Sequence, residues 1–382
     1  MAADSLHGGC LMRKAVDYFC HLAVKPEFYP HVTKDAEFAA TEYAPKIKWL
    51  KDEYDDIYDP DYTDMLRVSF MHQFCRGKLA DLVSLLAGRD FETKEFREDI
   101  IEDSYKHLNE GIINFINEYN FKQFVLAVKG AGYASSKLIS SNVALDFGYT
   151  LYLLLLNDET IPNVQIKRYV QKWFVLSTLT GRYSNSPESM MDRDLRSIKE
   201  KGFLKFLAET EASLLSDTFW DVTLPQNLET SSVNSPAFNT FIAAQINRNA
   251  DSLFMRGTKY VDLVNIAGDI HHIFPKAYLK KNGVTSKTKY NQVANYIYLD
   301  TQVNKAISDD APNVYFGKVK DMIQSGHVSF GNMLSDEQLQ KNLQDNCIPP
   351  GIVDMTVENY EEFLIERRKL MAAFIRDYYR GL

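Results

Sequence analysis

Apolar residues recur three to five positions apart along most of this chain, a spacing that places them on one face of an α-helix. The pattern predicts helices over 63–87, 97–118 and 163–180, and a final helix over 360–378. An almost unbroken apolar segment, 144–156, is shorter than the roughly 20 residues that a bilayer span needs, so it predicts a buried helix. The predicted fold class is mainly α, with helical bundle regions.

Two stretches interrupt the helical pattern and enclose a segment of different character. Residues 216–236 are rich in Ser, Thr, Asn and Pro, and residues 346–356 contain Pro-Pro-Gly, so both predict connections. Between them, the segment 260–308 has β-type residues around 261–266 and 295–299. This segment predicts a small β element in a helical protein.

Polar side chains suited to catalysis lie at the ends of the two predicted strands. His271 and His272 end the first strand, because Pro275 follows shortly afterwards. A lysine-rich loop over 276–292 contains an Asn-Gly turn signal. Asn295 then opens the second strand.

A short helix is predicted after the second strand, with Thr301 as its N-cap and Asn304 at its third position. The order strand, loop, strand, helix would bring both asparagines and both histidines close to one point. Hydrolysis of a phosphodiester needs a base for water and a cation for the phosphate. His272 can take a proton from water near neutral pH, while His271 and Asn304 offer a nitrogen and an oxygen to a metal.

Charge is distributed unevenly along the chain. A net charge of −8 and a pI near 5.6 argue against a protein that coats nucleic acid over its whole surface. Residues 256–305 carry eight basic and three acidic side chains, a formal charge of +5, which leaves −13 for the rest. Such a segment suits a phosphate-binding cleft, although lysine-rich loops also serve solubility alone. The candidate DNA-binding residues are Lys276, Lys280, Lys281, Lys287, Lys289 and Lys305.

Cysteine usage and the N-terminus predict a compartment. Four scattered cysteines without a CxxC pair argue against a disulfide framework and against a structural zinc site. The N-terminus lacks a basic region followed by an apolar one, so no signal peptide is predicted. A reducing cytoplasm is the simplest setting.

The residues around the histidine pair resemble a known nuclease motif. His-His-Ile-Phe-Pro at 271–275, the lysine-rich loop, Asn-Tyr-Ile-Tyr-Leu at 295–299 and a further Asn nine residues after the first are similar to the HNH (ββα-metal, His-Me finger) motif. The HNH domain of CRISPR effector nucleases has the same layout, with Asp in place of His271. A closer similarity is to the C-terminal HNH domain of the GmrSD-type, modification-dependent (type IV) restriction endonucleases. The helical segments 74–89 and 173–184 also look like theirs.

The resemblance implies a role for each matching residue. His272 would be the general base, and His271 and Asn304 would be metal ligands. Asp269, on the same strand face as His271, would be an auxiliary metal ligand. Asn295 would be the middle asparagine that orients the base and braces the loop. The implied metal is Mg²⁺ or Mn²⁺, since the donor set mixes nitrogen and oxygen and leaves positions open for water.

The resemblance also implies a domain organisation and a function. A helical region would occupy 1–235 and an HNH nuclease domain 236–382, with its ββα core over 261–308 and C-terminal helices over 312–382. In the family a ParB-like domain with nucleotide-dependent activity precedes these parts. No DGQQR-like signature is present, so that domain is predicted to be missing from this chain and to act, if at all, as a separate partner. The predicted function is a DNA endonuclease in bacterial defence.

Other functions remain open from the sequence. One is a catalytically inactive nucleic-acid-binding or protein-interaction fragment, and another is an RNase or a relaxed nickase. Taken alone, Asn295 is also consistent with an asparagine that caps a turn at the start of a strand, and Asn304 with an amide on a helix surface. Arg182, Tyr183 and Ser184 follow a helix end, where contact with DNA or the nuclease lobe is one alternative and C-terminal capping with lobe packing is the favoured one. Trp173 is predicted in the core rather than as a platform for base stacking.

Overall fold

Helices dominate the protein, as predicted. The computed structural model describes residues 2–24, 43–53, 56–265 and 270–382. The chain forms two compact units: unit 1 is Met1–Val128 with Ser141–Glu211, and unit 2 is Lys129–Ser140 with Ala212–Leu382. Within the described ranges, no helix is both long and apolar enough to cross a membrane.

Ten helices precede residue 215 in the described part of the chain. They are α1 (Ala2–Val24), α2 (Tyr43–Glu53), α3 (Tyr62–Phe74), α4 (Leu79–Leu86), α5 (Glu98–Phe115), α6 (Glu118–Gly130), α7 (Asn142–Leu156), α8 (Asn163–Leu179), α9 (Pro187–Lys201) and α10 (Phe203–Leu214).

The later part contains shorter helices and both strands. The elements are α11 (Leu224–Asn227), α12 (Pro236–Asn247), α13 (Tyr260–Asn265), β1 (Ile270–His272), α14 (Lys276–Lys281), α15 (Lys287–Tyr290), β2 (Tyr296–Tyr298), α16 (Thr301–Ile307), α17 (Pro312–Ser325), α18 (Asp336–Asp345) and α19 (Tyr360–Gly381).

The core of unit 1 is built around α3 and α7. Helix α3 packs against α1, α5 and α7, and α7 packs against α8. Nearly every side chain of α7 is buried, as its unbroken apolar sequence predicts. Tyr149 from α7 lies edge-on to Phe115 with ring centroids 4.9 Å apart and stacks on Phe124 at 5.0 Å. These aromatic contacts join three helices in one apolar core.

Buried polar pairs link the helices of unit 1. Arg67 of α3 donates to the Asp146 carboxylate of α7 at 2.7 Å, and burial raises the pKa of Asp146 to about 7 against the opposing effect of Arg67. Arg182 forms a two-bond fork with Asp194 of α9, at 2.7 and 2.6 Å. The main-chain N–H of Arg182 closes the end of α8 by donating to Ser177 at 3.0 Å, which confirms the predicted capping. Trp173 is fully buried, as predicted.

Unit 2 surrounds its small hairpin with helices. The last helix, α19, packs against α11, α12 and the 3₁₀ turn Val293–Asn295 that leads into β2, while α13 packs against β2. The two strands pair antiparallel, with His271 opposite Ile297 and His272 opposite Tyr296. A two-residue connection joins β2 to α16, so both predicted strands and the helix after them follow one another in the expected order.

Four predicted spans of secondary structure were wrong. The lysine-rich loop expected over 276–292 contains two short helices, α14 and α15. The helix expected over 63–87 is split, because Cys75 takes a left-handed conformation (φ 49°) that ends α3. Residues 261–265, expected to be β-type, belong to α13, and Ile266 lies outside the described residues. The connection expected over 216–236 contains a π-helical turn, Phe219–Thr223, followed by α11. Phe219, Trp220, Leu224 and Leu228 of this stretch are buried, so tertiary packing overrides the local turn signals there.

Candidate active site

The two histidines sit at the end of β1 and leave it on opposite faces. Neighbouring residues of a strand point in opposite directions, and directly paired residues share a face. His272 therefore lies on the face of Tyr296, whose ring it meets edge-on with centroids 5.2 Å apart. His271 lies on the face of Ile297 and is half-buried. The two imidazoles are thus suited to different roles.

Asn295 holds the chain that leaves β1. Its Oδ1 accepts from the N–H of Phe274 at 2.8 Å, and its Nδ2 donates to the Phe274 carbonyl at 3.1 Å and to the Tyr290 carbonyl at 3.3 Å. The Asn295 side chain is completely buried. An amide that bonds both main-chain groups of one residue fixes that residue in a single orientation. This is the bracing role that the resemblance implies for Asn295.

The side chain that contacts the ring of His272 is a different asparagine. Nε2 of His272 lies 3.0 Å from Oδ1 of Asn291. A carbonyl oxygen only accepts hydrogen bonds, so with this amide orientation the proton of the neutral imidazole is on Nε2. Nδ1 is then left with its lone pair. The geometry gives Asn291 the orienting role that the sequence assigns to Asn295.

Burial favours the neutral form of His272. The pKa of His272 is below its ordinary value of 6.5, chiefly because burial disfavours the charged ring. The hydrogen bond to Asn291 acts in the opposite direction, while Lys276 and His271 lower the pKa further. A neutral histidine with an unprotonated nitrogen is what a general base requires at neutral pH.

The main chain around the hairpin is held by residues far along the sequence. The hydroxyl of Tyr315 in α17 donates to the Ile273 carbonyl at 2.7 Å. Arg367 of α19 is fully buried and donates to the carbonyls on either side of Asn295, those of Ala294 at 2.8 Å and Tyr296 at 2.7 Å. Burial lowers the pKa of Arg367 to about 10, so it stays charged at neutral pH.

Sequence reasoning missed these supporting residues. Arg367 is one of several charged residues between the apolar positions of the last helix, yet its side chain is fully buried. Its position four residues after Phe363 and four before Met371, both on the apolar stripe of α19, was the signal that could have revealed it. Asn291 carries no comparable local signal, because its partner is nineteen residues away.

The proposed metal ligands are only partly described. Asp269 lies outside the described residues. Asn304 is half-buried and sits on the second turn of α16, whose N-cap is Asp300 rather than the predicted Thr301. The Asp300 carboxylate accepts from the N–H of Gln302 at 2.8 Å. Asn304 is thus the fourth residue of the helix and not the third.

The donor chemistry of the site fits a hard divalent cation. His271 and Asn304 are thirty-three positions apart in the sequence. In the hairpin His271 pairs with Ile297, which precedes Asn304 by only seven residues. One imidazole nitrogen and one amide oxygen, with water in the open positions, suit Mg²⁺ or Mn²⁺. In the described part of the chain there is no group of three or more His, Cys, Asp or Glu side chains that could hold a metal. A metal site at this position would therefore depend on the side-chain amide oxygen of Asn304.

The six candidate DNA-binding lysines are exposed and have no carboxylate partner among the described residues. Five of them lie on α14 and α15 between the strands, and Lys305 lies on α16. By contrast, Lys259, Lys318 and Lys341 of the same unit each pair with an aspartate. The ammonium groups of Lys276 and Lys280 lie 5.5 and 5.2 Å from the centre of the Tyr290 ring. Tyr290, which directly precedes Asn291, thus holds two of these charges close together.

Comparison of this chain with family models, with curated proteins and with solved structures finds no match.

Proposed function

We propose that this chain is a metal-dependent HNH-type endonuclease that hydrolyses DNA phosphodiester bonds. The observation that carries the proposal is the state of His272. Asn291 binds its Nε2, Asn295 fixes the chain that follows it, and Nδ1 keeps a lone pair. A base that is oriented in this way, next to a nitrogen ligand and unpaired lysines, suits hydrolysis of a phosphate ester better than acyl transfer or redox chemistry.

In this mechanism Nδ1 of His272 takes a proton from water as the water attacks phosphorus. Asn291 keeps the ring in the required tautomer and orientation. Lys276 and Lys280 attract the phosphate backbone, and their cation–π contacts with Tyr290 limit the freedom that they would lose on binding. His271 and Asn304 would hold the divalent cation, which would neutralise charge on the phosphate and on the departing 3′-oxygen.

The biological setting rests on the sequence resemblance. That resemblance favours a modification-dependent restriction system of the GmrSD type, in which a ParB-like, nucleotide-dependent domain or subunit would act with this chain. A nuclease acting on foreign DNA also accounts for an acidic protein whose positive charge is concentrated beside the histidine pair.

Cleavage of supercoiled plasmid DNA in Mn²⁺ or Mg²⁺ tests the proposal. We expect nicked or linear products from the wild type and a loss of at least about 100-fold in rate in His272→Ala, the usual scale for a general base. His327→Ala is the matched control, because His327 is exposed and far along the chain from the motif, and it should cleave normally.

The outcomes separate the alternatives. Binding of DNA without cleavage in either metal would support an inactive binding fragment and contradict the proposal. Cleavage of RNA but not of DNA would identify an RNase that uses the same site. Equal activity in wild type and His272→Ala would exclude His272 as the base.

A further inference from the structure

A second basic region lies in unit 1, where the turn between α3 and α4 docks on α9. The N–H of Gly77 donates to Oδ1 of Asp192 at 3.0 Å. A Cβ atom at position 77 would lie 2.3 Å from the main-chain N of Asp192 and 2.7 Å from the carbonyl of Glu188. Only glycine allows so close an approach, so the turn is held tightly against the helix.

This docking creates two adjoining pockets. The first, of about 380 Å³, is lined by Phe74, Cys75, Arg76, Phe91, Arg196 and Lys199. The second, of about 370 Å³, shares Arg196 and adds Lys78, Arg193, Ser189, Ser197, Asp192 and Glu200. Among the residues that the structure describes, no carboxylate lines the first pocket. We call the two together the basic cleft.

Only some of the cations in the basic cleft are neutralised. Arg76 pairs with Asp81 at 3.1 Å, and Arg196 pairs with Asp192 at 2.5 Å. With respect to the described residues, Lys78, Arg193 and Lys199 have no carboxylate partner, although Glu200 is close by in the second pocket. The cleft therefore keeps a local excess of positive charge in an acidic protein.

An aromatic ring adds a second feature. The guanidinium of Arg76 lies over the ring of Phe91, 4.1 Å from its centre. Stacking of this kind holds an arginine flat and leaves its edge N–H groups directed sideways, where they can meet an anion. A phosphate is the anion that such a planar donor set binds well.

We propose that the basic cleft binds the phosphate backbone of a nucleic-acid strand. Its length favours a polymer over a single anion. From Arg193 to Lys199 the axis of α9 rises by roughly 9 Å, which matches two to three phosphates at the rise of about 3.4 Å per nucleotide in one strand. The cleft would be a binding surface separate from the histidine pair, and the proposal is independent of whether the chain cleaves DNA.

Fluorescence anisotropy with a fluorescein-labelled 20-nucleotide DNA, as single strand and as duplex, tests the inference. All proteins carry His272→Ala, so that cleavage does not interfere. The test variant is Arg193→Glu with Lys199→Glu, neither of which breaks an ion pair of the structure. The control is Lys167→Glu with Lys205→Glu, which makes the same charge change at exposed positions of α8 and α10.

We expect the test variant to bind at least about 10-fold more weakly than the control at moderate salt. The slope of log affinity against log salt should fall by about 1.4 for the single strand and 1.8 for the duplex, for two lost contacts. Melting temperatures should agree, and the milder pair Arg193→Gln with Lys199→Gln should give an intermediate loss. Equal binding by test and control variants would overturn the proposal.

The alternative ligand with the same phosphate chemistry is a single nucleotide. Titration of ATP against the wild type and the test variant distinguishes a nucleotide from a nucleic-acid strand. If the test variant loses ATP binding but keeps its affinity for the oligonucleotide, the cleft is a nucleotide pocket and the proposal is wrong. If the wild type does not cleave DNA but binds it in a way that depends on the basic cleft, this inference is supported and the proposed nuclease activity is contradicted.

Discussion

Replacing Asn295 by alanine separates bracing of the hairpin from orientation of the base. The substitution removes three hydrogen bonds from a fully buried side chain. The Tyr290 carbonyl keeps another donor, because the hydroxyl of Tyr360 lies 3.3 Å from it. The N–H and the carbonyl of Phe274 lose the partner shown for each of them in the structure.

The size of the effect follows from these two groups. Leaving a buried main-chain group without a partner costs about 1–3 kcal/mol, so two such groups should lower the free energy of unfolding of unit 2 by about 2–4 kcal/mol after partial relaxation. A unit of this size loses roughly 2–4 °C in melting temperature per kcal/mol. The melting temperature of unit 2 should therefore fall by roughly 5–15 °C.

Asn291→Ala is the matched comparison. It removes one part-buried hydrogen bond and should cost about 0.5–1.5 kcal/mol at most. It should nevertheless slow cleavage about 10- to 100-fold, as the loss of an orienting partner does, with KM unchanged. Asn291→Asp keeps an acceptor for Nε2 and should recover part of that loss.

Differential scanning fluorimetry and hydrogen exchange of peptides covering the hairpin measure stability, and plasmid cleavage measures activity. Asn295→Ala should increase exchange at the hairpin, whereas Asn291→Ala should leave exchange nearly unchanged. Equal losses of stability in the two variants would refute the division of roles, as would a melting temperature within 1 °C of the wild type for Asn295→Ala.

Three further outcomes are expected. The neutral ring of His272 is the active form, and burial lowers the pKa of this ring. The value of kcat/KM should therefore be constant near neutral pH and should fall in acid with a midpoint below pH 6.5; a nearby cation would lower this midpoint further. A midpoint above pH 6.5 would contradict the assignment. Replacing Lys276 and Lys280 by alanine should raise KM and reduce the salt slope of binding by about 2, whereas the same change at Lys318 and Lys341, which pair with aspartates, should have little effect. EDTA should abolish cleavage, and Mn²⁺ or Mg²⁺ should restore it.

The features visible in the sequence were those encoded locally. The apolar run of α7 and the periodic stripe of α19 each predict an element from its own residues, and both helices are present. The short strand after Asn295 was also visible, because β-type residues follow one another there. The histidine pair of the candidate site was visible for the same reason, since the two are neighbours in the sequence.

The features that were missed depend on contacts between distant residues. The β-type residues at 261–265 form a helix because Tyr260 and Val264, four positions apart, both turn into the core of unit 2. Asn291 acquires its role only when the hairpin closes and brings it to His272. No local pattern distinguishes it from the other polar residues of a loop.

The dependence on distant contacts follows from the size of the hairpin itself. Each strand has three residues, and an isolated two-stranded hairpin is marginally stable at best. A shift of one residue in its register would turn His272 to the other face, so the register must be fixed from outside the hairpin. Arg367 holds the β2 side, because it donates to the carbonyls of Ala294 and Tyr296. Tyr315 and Asn295 hold the β1 side through the Ile273 carbonyl and the main-chain groups of Phe274.

A buried arginine does this better than an apolar side chain of similar size. Its Nη1 donates to both carbonyls and its Nη2 donates to the Asn346 carbonyl at 3.3 Å, so another position of β2 would cost this buried charge two of its three hydrogen bonds. The position of β2, and with it one side of the register, is therefore set by α19, about a hundred residues later in the chain. Arg367→Met should for this reason lower the rate of plasmid cleavage even at temperatures at which unit 2 remains folded, since methionine fills the space without selecting the register.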